Sequence, residues 1–539
     1  MSADVPFGWL SPFEDTEGDM VKGVVDDHPT GDDALRNLHN NCHPTWYKDP
    51  GLRRLNLAIF LVFASATAEG FDLSLVNGLQ ALPAFKDDVV DRVETHVFGL
   101  IVSGVALGGL LALLPAIYIS DNWGRKPCLF LGTFVMITGG LVQALTYGPW
   151  AFFTTRVVLG TGFTLMLVPA PLLATETAHP RHRARITACF QAAFYWGSIL
   201  AAVTTLAGLY IENSWSWRLP VIMQVVFPLI QVFGLFIIPE SPRFLIARGK
   251  DAEALDIMAR YHANGDKNDD LVRFEFTEIR EAIKRESQYP ACSWKTFVST
   301  PGNRHRLLIC ILVGVMSQWA GNGVASYYLT PILNSVGVTE PIQQQAINLG
   351  LQVWNALWAF AGAMAVEQYG RRFLWLLSAT GMLFSFSLVT ALSAVYAQGN
   401  EHGSGRTAIV MLFIFFAWYD IAFTPLSFAY PIEILPYTLR SRGFSVTLMA
   451  IFVALFFNQF VNPIALAALE WKFYFVYVGC LVVDIVIIWF LFPETKGRSL
   501  GQIAELFDGP RMDAEVLRHA SNAGVETQSC VWREKVEGT

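Results

Sequence analysis

The chain carries one charged turn twice, first as Asp121-Asn-Trp-Gly-Arg125-Lys126 and again as Glu367-Gln-Tyr-Gly-Arg371-Arg372. Two further charged motifs recur in the same order and at nearly the same offset. They are Glu176…Pro180…Arg183 with Glu433…Pro436…Arg440, and Pro239-Glu-Ser-Pro-Arg243 with Pro493-Glu-Thr-Lys-Gly-Arg498. Long apolar runs separate these motifs. Three repeated motifs in register predict a duplicated membrane protein, and such duplication is typical of transporters.

The composition also predicts a membrane protein. Hydrophobic residues make up 53% of the 539 residues, charged residues only 15%, and the mean hydropathy is +0.40. Soluble domains usually contain about 25% charged residues. Here the charges cluster between apolar runs of roughly twenty residues, the length that crosses ~30 Å of hydrocarbon as a helix. We therefore expect a chain with many membrane-spanning helices.

Twelve apolar runs fall into two sets of six, separated by a polar stretch. They lie at about 55–82, 97–119, 127–147, 151–174, 186–208 and 219–239, then at about 306–333, 343–366, 373–396, 407–432, 444–466 and 472–492. The predicted segments are an N-terminal tail 1–54, a six-helix bundle 55–239, a linker 240–304, a second six-helix bundle 305–492 and a C-terminal tail 493–539. The linker is expected to form amphipathic helices, because Ala254, Leu255, Met258 and Ala259 have helical spacing.

Basic residues in the short loops predict the orientation. One side carries nine of them: Arg125, Lys126, Arg181, Arg183, Arg185, Arg371, Arg372, Arg440 and Arg442. The other side carries five: Lys86, Arg92, Arg218, Arg406 and Lys472. Positively charged loops stay in the cytoplasm, so both tails and the linker are predicted to be cytoplasmic, most simply at the plasma membrane.

The sequence contains none of the patterns that signal covalent chemistry. The seven cysteines have no spacing typical of disulfides or zinc sites, and there is no phosphate loop or nucleophile triad. We expect no catalytic residues, no metal and no cofactor, so the chain is not predicted to be an enzyme. The net charge of −7 is spread over both tails and the linker, and no nucleic acid is expected as a partner.

The repeated motifs pair an acid with a glycine turn and an arginine. Glycine permits the tight turn, and arginine can bind carboxylates or helix-end carbonyls across a helix seam. Membrane anchoring by positive charge alone would explain the basic residues but neither the acids nor the repetition. We therefore predict a cytoplasmic gate. Its residues are Asp121, Arg125, Glu176, Arg183, Glu240, Arg243, Glu367, Arg371, Glu433, Arg440 and Glu494.

These motifs together resemble the sugar porters of the major facilitator superfamily. Further matches are Arg156 followed by Gly160 and Gly162, Trp217-Arg218-Leu-Pro220, and Pro239-Glu-Ser-Pro-Arg-Phe-Leu245. The resemblance covers about residues 55–505 and implies an all-α membrane protein with twelve transmembrane helices in two six-helix repeats. Within the family the chain is most similar to fungal lactose and cellodextrin permeases. The stretches that carry this likeness are Gly70-Phe71-Asp72, His179–Arg183, Ser317–Tyr328 and Asp420–Pro425.

The chain also departs from general sugar porters. Ser317-Gln318 stands where two glutamines are expected, Gly323 where asparagine is expected, and Phe428 where tryptophan is common. Ala184 replaces the glycine that follows the arginine of the 4–5 loop. These departures argue against a specific assignment to glucose.

Asp72 and Arg156 are ionisable residues within predicted spans, where charge is costly. One interpretation is a static ion pair that holds two helices together. The resemblance implies instead that they form the proton-coupling pair, in which Asp72 alternates between protonation and pairing with Arg156. Glu69 lies on nearly the same helix face as Asp72 and either shares its proton or, as we prefer, faces the outer vestibule. Asp420 is a candidate for a hydrogen bond across the bundle.

Amides and aromatic rings within the spans are candidate sugar ligands, because amides donate and accept hydrogen bonds and rings stack on sugar C–H faces. The candidates are Gln191, Gln318, Trp319, Asn322, Tyr327, Asn348, Phe428 and Asn458. Gln191 and Gln318 match sugar-binding positions of the family. For the others, helix–helix hydrogen bonds or packing are equally good interpretations. Pro169 and Pro171, Pro425 and Pro431, and Gly321 and Gly323 predict interruptions of the fourth, tenth and seventh spans.

The predicted function is alternating-access transport of a sugar together with a proton. The resemblance favours a disaccharide such as lactose or cellobiose, and the expected partners are the small-molecule sugar, protons and the lipid bilayer. A proton-independent facilitator on the same fold is one alternative. A transporter of a polyol, a quinate-like acid or a secondary metabolite is another. A sugar sensor is less favoured, because the tail after Arg498 is short.

Overall fold

The computed structural model describes residues 40–509 apart from 44, 91–92, 182, 289–294, 399–401, 497 and 499. Within these residues the regular structure is helical and contains no β-strand. Each of the twelve predicted apolar runs contains helix. We number these helical segments span 1 to span 12 in chain order.

The first six spans occupy the first half of the chain. Their helices are Pro50–Val62 with Ala64–Leu79 (span 1), Thr95–Asn122 (span 2), Arg125–Leu145 (span 3), Pro149–Leu167 with Pro169–Thr177 (span 4), Arg183–Gly208 (span 5) and Trp215–Met223 with Val226–Ile237 (span 6). A short helix Pro83–Phe85 and a π-helix Lys86–Val90 follow span 1.

The linker and the second half follow the same plan. The linker contains the helices Pro242–Ala247, Asp251–His262, Asp270–Gln288 and Thr296–Ser299. The second set comprises Pro301–Trp319 with Asn322–Tyr327 and Leu329–Ser335 (span 7), Pro341–Tyr369 (span 8), Arg371–Ala397 (span 9), His402–Ile434 (span 10), Tyr437–Leu469 (span 11) and Tyr474–Leu491 (span 12). A 3-10 turn, Glu470–Phe473, joins the last two spans, and the helix Leu500–Asp508 comes after them.

Length and hydropathy are sufficient for membrane crossing in nine stretches of the described residues. The last of these, Arg442–Leu491, contains most of span 11 and all of span 12. Span 5 contributes a shorter apolar helix, Ala192–Gly208, and span 7 is divided into three helices. The molecule is therefore an all-α protein with repeated membrane-spanning helices.

Two of the three predicted helix interruptions are confirmed. Span 4 divides at Pro169, and span 7 divides at Gly321, whose φ of +100° is readily adopted only by glycine. The predicted interruption of span 10 is wrong, because the helix continues through Pro425 and Pro431. Proline at 425 leaves the carbonyl of Ile421 without its helical donor. Span 8 packs tightly against that carbonyl, since a Cβ at Gly362 would lie 2.6 Å from its oxygen.

The two halves pack against each other along two helix pairs. Span 2 contacts span 11, and span 5 contacts span 8. Close approach depends on glycine in span 2, since a Cβ at Gly99 would lie 2.6 Å from the Phe460 carbonyl oxygen and one at Gly109 would lie 2.5 Å from the Phe452 ring. Small residues permit such close packing of membrane helices. The space that remains between the halves holds the candidate site.

The linker helix expected from the spacing of Ala254, Leu255, Met258 and Ala259 is present at Asp251–His262, and it buries Ala254, Met258 and Ala259. His262 attaches it to the first half, because one ring nitrogen lies 3.1 Å from the Thr177 carbonyl oxygen and the other 2.8 Å from Glu275. The linker is therefore packed directly against the end of span 4.

Candidate functional site

A cavity of about 170 Å³ lies between the two halves, near the middle of the spans. Residues of spans 1, 2, 4 and 5 line it from one side and residues of spans 7, 8, 10 and 11 from the other. Its wall mixes aromatic rings with amide and hydroxyl groups, which is the composition expected for a small polar organic ligand.

Four of the predicted sugar ligands line this cavity. Gln318, Asn322 and Tyr327 come from the divided span 7, and Phe428 comes from span 10. The break at Gly321 explains the position of the span 7 residues, because it ends one helix after Trp319 and starts another at Asn322. Asn322 Oδ1 is buried and has no hydrogen-bond donor among the described residues.

Three other predicted ligands are not among the residues that line this cavity. Trp319 is 41% exposed, and its indole donates to the Ala454 carbonyl at 3.1 Å. Asn348 accepts a hydrogen bond from Asn77 at 3.2 Å, and its amide joins the halves away from the cavity. Asn458 donates to the Gln318 carbonyl. Each of these three polar groups is engaged in packing helices together.

The position of Asn458 also accounts for Gly323. A Cβ at position 323 would collide with Asn458 Nδ2, so the span 11 amide occupies the space that a side chain at 323 would need. An amide from another helix therefore lies beside the position where the family has asparagine.

Sequence reasoning missed several polar residues that line the cavity. They are Tyr195 on span 5, Gln352 and Asn355 on span 8, and Tyr419 and Thr424 on span 10. Asn355 Oδ1 is buried without a donor among the described residues. The helical spacing of Asn348, Gln352 and Asn355 was a signal that could have found the span 8 pair. Glu69 also lines the cavity, so our preference for an outer-vestibule position of Glu69 is wrong.

Asp72 and Arg156 form a buried ion pair between spans 1 and 4. Arg156 Nη1 lies 2.9 Å from Asp72 Oδ1, and the two side chains are 1% and 5% exposed. Arg156 Nε has no acceptor among the described residues. The guanidinium therefore makes a single-point contact and not the bidentate contact that gives the strongest arginine–carboxylate pairs.

Tyr327 connects this ion pair with the cavity. It lines the cavity and lies near both Arg156 and Glu69. Because Tyr327 belongs to the second half and Arg156 to the first, a change in the charge of the pair acts across the boundary between the halves.

Asp420 makes the hydrogen bond across the bundle that the sequence suggested. Tyr195 of span 5 donates its hydroxyl to Asp420 Oδ1, and Thr424 donates to the same oxygen at 2.8 Å. The carboxyl is fully buried, and its Oδ2 has no partner among the described residues.

Polar side chains close the boundary between the halves at one end of the cavity. This closing cluster consists of Asn77 and Gln80 on span 1, Thr205 on span 5, and Gln345 and Asn348 on span 8. Gln345 donates to the Gly78 carbonyl at 2.6 Å and accepts from Thr205 at 3.1 Å. Gln80 donates to the Tyr327 carbonyl at 2.6 Å. Hydrogen bonds between neutral groups therefore hold this end closed.

The charged motifs lie at the opposite end, which we call the motif end. In the first half, Arg125 Nε lies 3.2 Å from Glu176 and its Nη1 lies 3.5 Å from Asp121. Glu240 accepts hydrogen bonds from the backbone N–H groups that begin span 3, at 3.3 Å from Arg125 N and 3.1 Å from Lys126 N. A carboxylate at a helix N-terminus satisfies donors that have no partner within the helix.

The second half repeats this arrangement. Arg371 contacts Glu433 at 2.8 and 3.0 Å through two nitrogens. Glu494 accepts from the N–H groups of Arg371 and Arg372 at 2.9 and 3.0 Å, in the place that Glu240 holds in the first half. The turns also match, since Gly124 and Gly370 have φ values of +114° and +92°.

The two equivalent capping carboxyls differ in protonation behaviour. Burial raises the pKa of Glu240 above its ordinary value of 4.5, although backbone N–H groups partly oppose this. Burial also acts to raise the pKa of Glu494, but four backbone N–H donors together outweigh it and hold that pKa below 4.5. The first-half cap therefore takes up a proton at a higher pH than the second-half cap.

Three of the predicted gate and sugar-binding residues have side chains that lie outside the described residues. They are Arg183, Gln191 and Glu367. The predicted gate residues Arg243, on the first linker helix, and Arg440, on span 11, lie close to each other, and their like charges repel. The ion pairs described at the motif end each lie within one half, so these pairs stabilise the halves and do not join them.

A cavity between two structurally repeated halves, closed at one end and bordered by repeated charged turns at the other, is the arrangement of a multi-pass membrane transporter. The described residues include no group of three or more histidine, cysteine, aspartate or glutamate side chains that could hold a metal.

The comparison with known proteins identifies the family. The family described as "Sugar (and other) transporter" matches residues 57–507, and the chain belongs to this sugar porter family of the major facilitator superfamily. The chain is a transporter and not an enzyme.

Characterised relatives cover most of the chain. The MFS-type transporter criB of Aspergillus cristatus is 30% identical over 443 residues, which are 81% of this chain and 90% of that protein. The low-affinity glucose transporter of Kluyveromyces lactis is 25% identical over 504 residues, 88% of this chain and 87% of that one. The hexose transporter HXT9 of Saccharomyces cerevisiae is 27% identical over 455 residues, 80% and 79% of the two chains.

Solved structures show the same fold. The proton:xylose symporter XylE bound to 6-bromo-6-deoxy-D-glucose has a TM-score of 0.69 at 19% identity, covering 84% of this chain and 99% of that one. The partially occluded inward-open form of XylE from E. coli has the same TM-score and identity, covering 83% and 100%.

Proposed function

We propose that this protein carries a neutral sugar across the membrane together with a proton, and that the sugar binds in the cavity between the halves. The observation that carries the proposal is the buried Asp72–Arg156 pair, linked to the cavity through Tyr327. Its single hydrogen bond at 2.9 Å supports a pair that separates and reforms, because a purely structural buried pair needs all its donors satisfied to offset desolvation.

The proposed coupling follows from this geometry. When Asp72 binds a proton, Arg156 loses its counter-ion, and its positive charge is left near Tyr327. Tyr327 contacts the sugar cavity and, through its carbonyl, accepts the hydrogen bond from Gln80 in the closing cluster. Protonation, sugar contact and closure of the bundle then depend on one another through Tyr327, which is the thermodynamic requirement for symport.

The cavity also bears on the class of solute. Its lining includes the carboxyl of Glu69 and no lysine, arginine or histidine among the described residues. This argues against the quinate-like acid that the sequence left open, because a carboxylate would be bound without a cationic partner. The choice between a monosaccharide and the disaccharide expected from the resemblance is left to the uptake panel below. Glucose and xylose are the sugars named for two of the matched proteins.

We further propose a plasma-membrane location, as import of an external sugar requires, and cytoplasmic termini on the basis of the positively charged loops. A protease-cleavable tag at each terminus tests this in sealed cells. Cleavage of either tag from outside intact cells would contradict the orientation.

The experiment that tests the transport proposal is uptake into proteoliposomes that contain the purified full-length protein. Labelled glucose, xylose, lactose and cellobiose are each offered with and without an inward proton gradient, to wild type and to Asp72→Asn. We expect gradient-driven accumulation by wild type, and gradient-independent equilibration or no uptake by Asp72→Asn.

Asp484→Asn is the matched control, because Asp484 is also a buried carboxyl within a span but lies on span 12, away from the cavity. It should retain gradient-driven accumulation. Wild-type uptake that ignores the gradient would make the protein a facilitator, and uptake of none of the sugars would refute the substrate class.

A further inference from the structure

Glu69 is a carboxyl that faces the cavity without a protein partner among the described residues. It lines the cavity wall from span 1, and no described residue forms a hydrogen bond or ion pair with it. Asp72, one helical turn further along, differs in this respect because it is paired with Arg156. A partly accessible carboxyl in a membrane-buried cavity is costly unless a ligand engages it.

The other charged groups near the cavity do not neutralise Glu69. Arg156 is 1% exposed and is bound to Asp72. The Asp420 carboxyl is fully buried behind Tyr195 and Thr424 and would add negative charge only. A solute that enters the cavity therefore meets one accessible acid and no accessible base in the part of the chain that the structure describes.

The surrounding groups complete a site for hydroxyl or ammonium donors. Tyr327 lies near Glu69 across the cavity boundary. Asn322 Oδ1 and Asn355 Oδ1 provide two further acceptors that lack donors among the described residues. Acceptors thus line the cavity from both halves, and hydrogen bonds from a ligand to a charged acceptor are stronger than those to a neutral one.

We propose that Glu69 binds the transported solute directly and selects it by charge. It accepts hydrogen bonds from sugar hydroxyls, binds a protonated amino group at the same position more tightly, and rejects a sugar that carries a carboxylate. This inference rests on the proposed transport of sugars through the cavity and specifies which sugars it admits.

The test is competition by three sugars of similar size against uptake of whichever labelled sugar from the panel wild type transports. The competitors are glucose, protonated glucosamine and glucuronate, assayed at one fixed pH. We expect glucosamine to inhibit best and glucuronate worst. In Glu69→Gln the ratio of the glucuronate to the glucosamine inhibition constant should fall roughly tenfold or more, since one charge-assisted contact and one charge repulsion are both removed.

Two further variants separate charge from shape. Glu69→Asp keeps the carboxylate and should keep the order of the three competitors. Ser74→Ala removes an uncharged lining group from the same helix and should alter the three inhibition constants by a similar factor, leaving their ratio unchanged.

The outcomes distinguish this inference from the transport proposal. If wild type takes up no sugar, the proposed function fails and this inference fails with it. If wild type transports a sugar but is inhibited equally by glucosamine and glucuronate, only the role of Glu69 is refuted, and this comparison needs no variant. An unchanged ratio in a folded Glu69→Gln protein has the same meaning.

Discussion

The substitution Gly370→Ala should disrupt the motif end of the second half by displacing one carboxylate. Gly370 precedes span 9 with φ +92° and ψ 159°, and a Cβ there would lie 2.9 Å from Glu494 Oε2. Glu494 accepts hydrogen bonds from four backbone N–H groups at 2.9 to 3.0 Å, two of them in the first turn of span 9. The new methyl group therefore forces the carboxylate away from the helix N-terminus.

The magnitude has two parts. Backbone strain for a residue with a Cβ in this region costs about 1–3 kcal/mol. Loss of a helix cap adds about 0.5–2 kcal/mol. Gly148 isolates the first part, because it precedes span 4 with φ +79° and ψ 166°, and a Cβ added there would meet nothing within 4 Å among the described residues. Gly370→Ala should therefore cost about 1–2 kcal/mol more than Gly148→Ala.

The assay is the apparent unfolding temperature of the purified protein in detergent at one scan rate, because unfolding of such a protein is governed by kinetics as well as equilibrium. We expect wild type to unfold last, Gly148→Ala earlier and Gly370→Ala earliest. In a Glu494→Ala background the extra cost of Gly370→Ala should disappear. Equal effects of the two glycine substitutions, or an extra cost that persists without Glu494, would refute the reasoning.

Three other predictions concern the two ends of the bundle. Gln345→Ala removes two hydrogen bonds between the halves. A reagent applied from the closing-cluster side should then label a cysteine introduced in the cavity severalfold faster. Unchanged labelling would show that this cluster does not control access. Arg371→Lys replaces a two-point contact with Glu433 by a single one and should lower the apparent unfolding temperature by an amount corresponding to about 1 kcal/mol. An unchanged unfolding temperature would show that this pair does not stabilise the motif end. The pKa of Glu240 is raised, so wild type should lose stability relative to Glu240→Gln as the pH rises above 4.5. The pKa of Glu494 is lowered, so wild type should gain stability relative to Glu494→Gln as the pH rises through the range below 4.5. Stability slopes of the same sign for the two comparisons would contradict these pKa directions.

Local sequence predicted the elements that depend on local chemistry. Each of the twelve predicted apolar runs contains helix, and the tight turns predicted at the repeated motifs are present at Gly124 and Gly370. Helical spacing predicted the linker helix at Asp251–His262. The interruption that Pro425 and Pro431 predicted for span 10 was wrong. Span 8 packs against span 10 at Gly362, and this packing supports a helix that local propensity would interrupt.

The site depended on contacts that spacing along the chain does not encode. Glu69, Asn348 and Trp319 are all polar or aromatic residues within spans, yet only Glu69 faces the cavity. Helix rotation and the packing of spans from opposite halves decide this. Asn458 is a further example, because it fills the space beside Gly323 from another helix.

The sequence by itself determined the class of protein, its repeated halves and the charged turns, because hydrophobic length and short motifs act over a few residues or one helix. Only the tertiary structure decided which polar groups face the cavity and which hold the halves together, as Asn77 and Gln345 do. In a membrane interior each buried polar group must find a partner, and that partner commonly lies on a distant helix. The identity of the partner is therefore a property of the packed bundle.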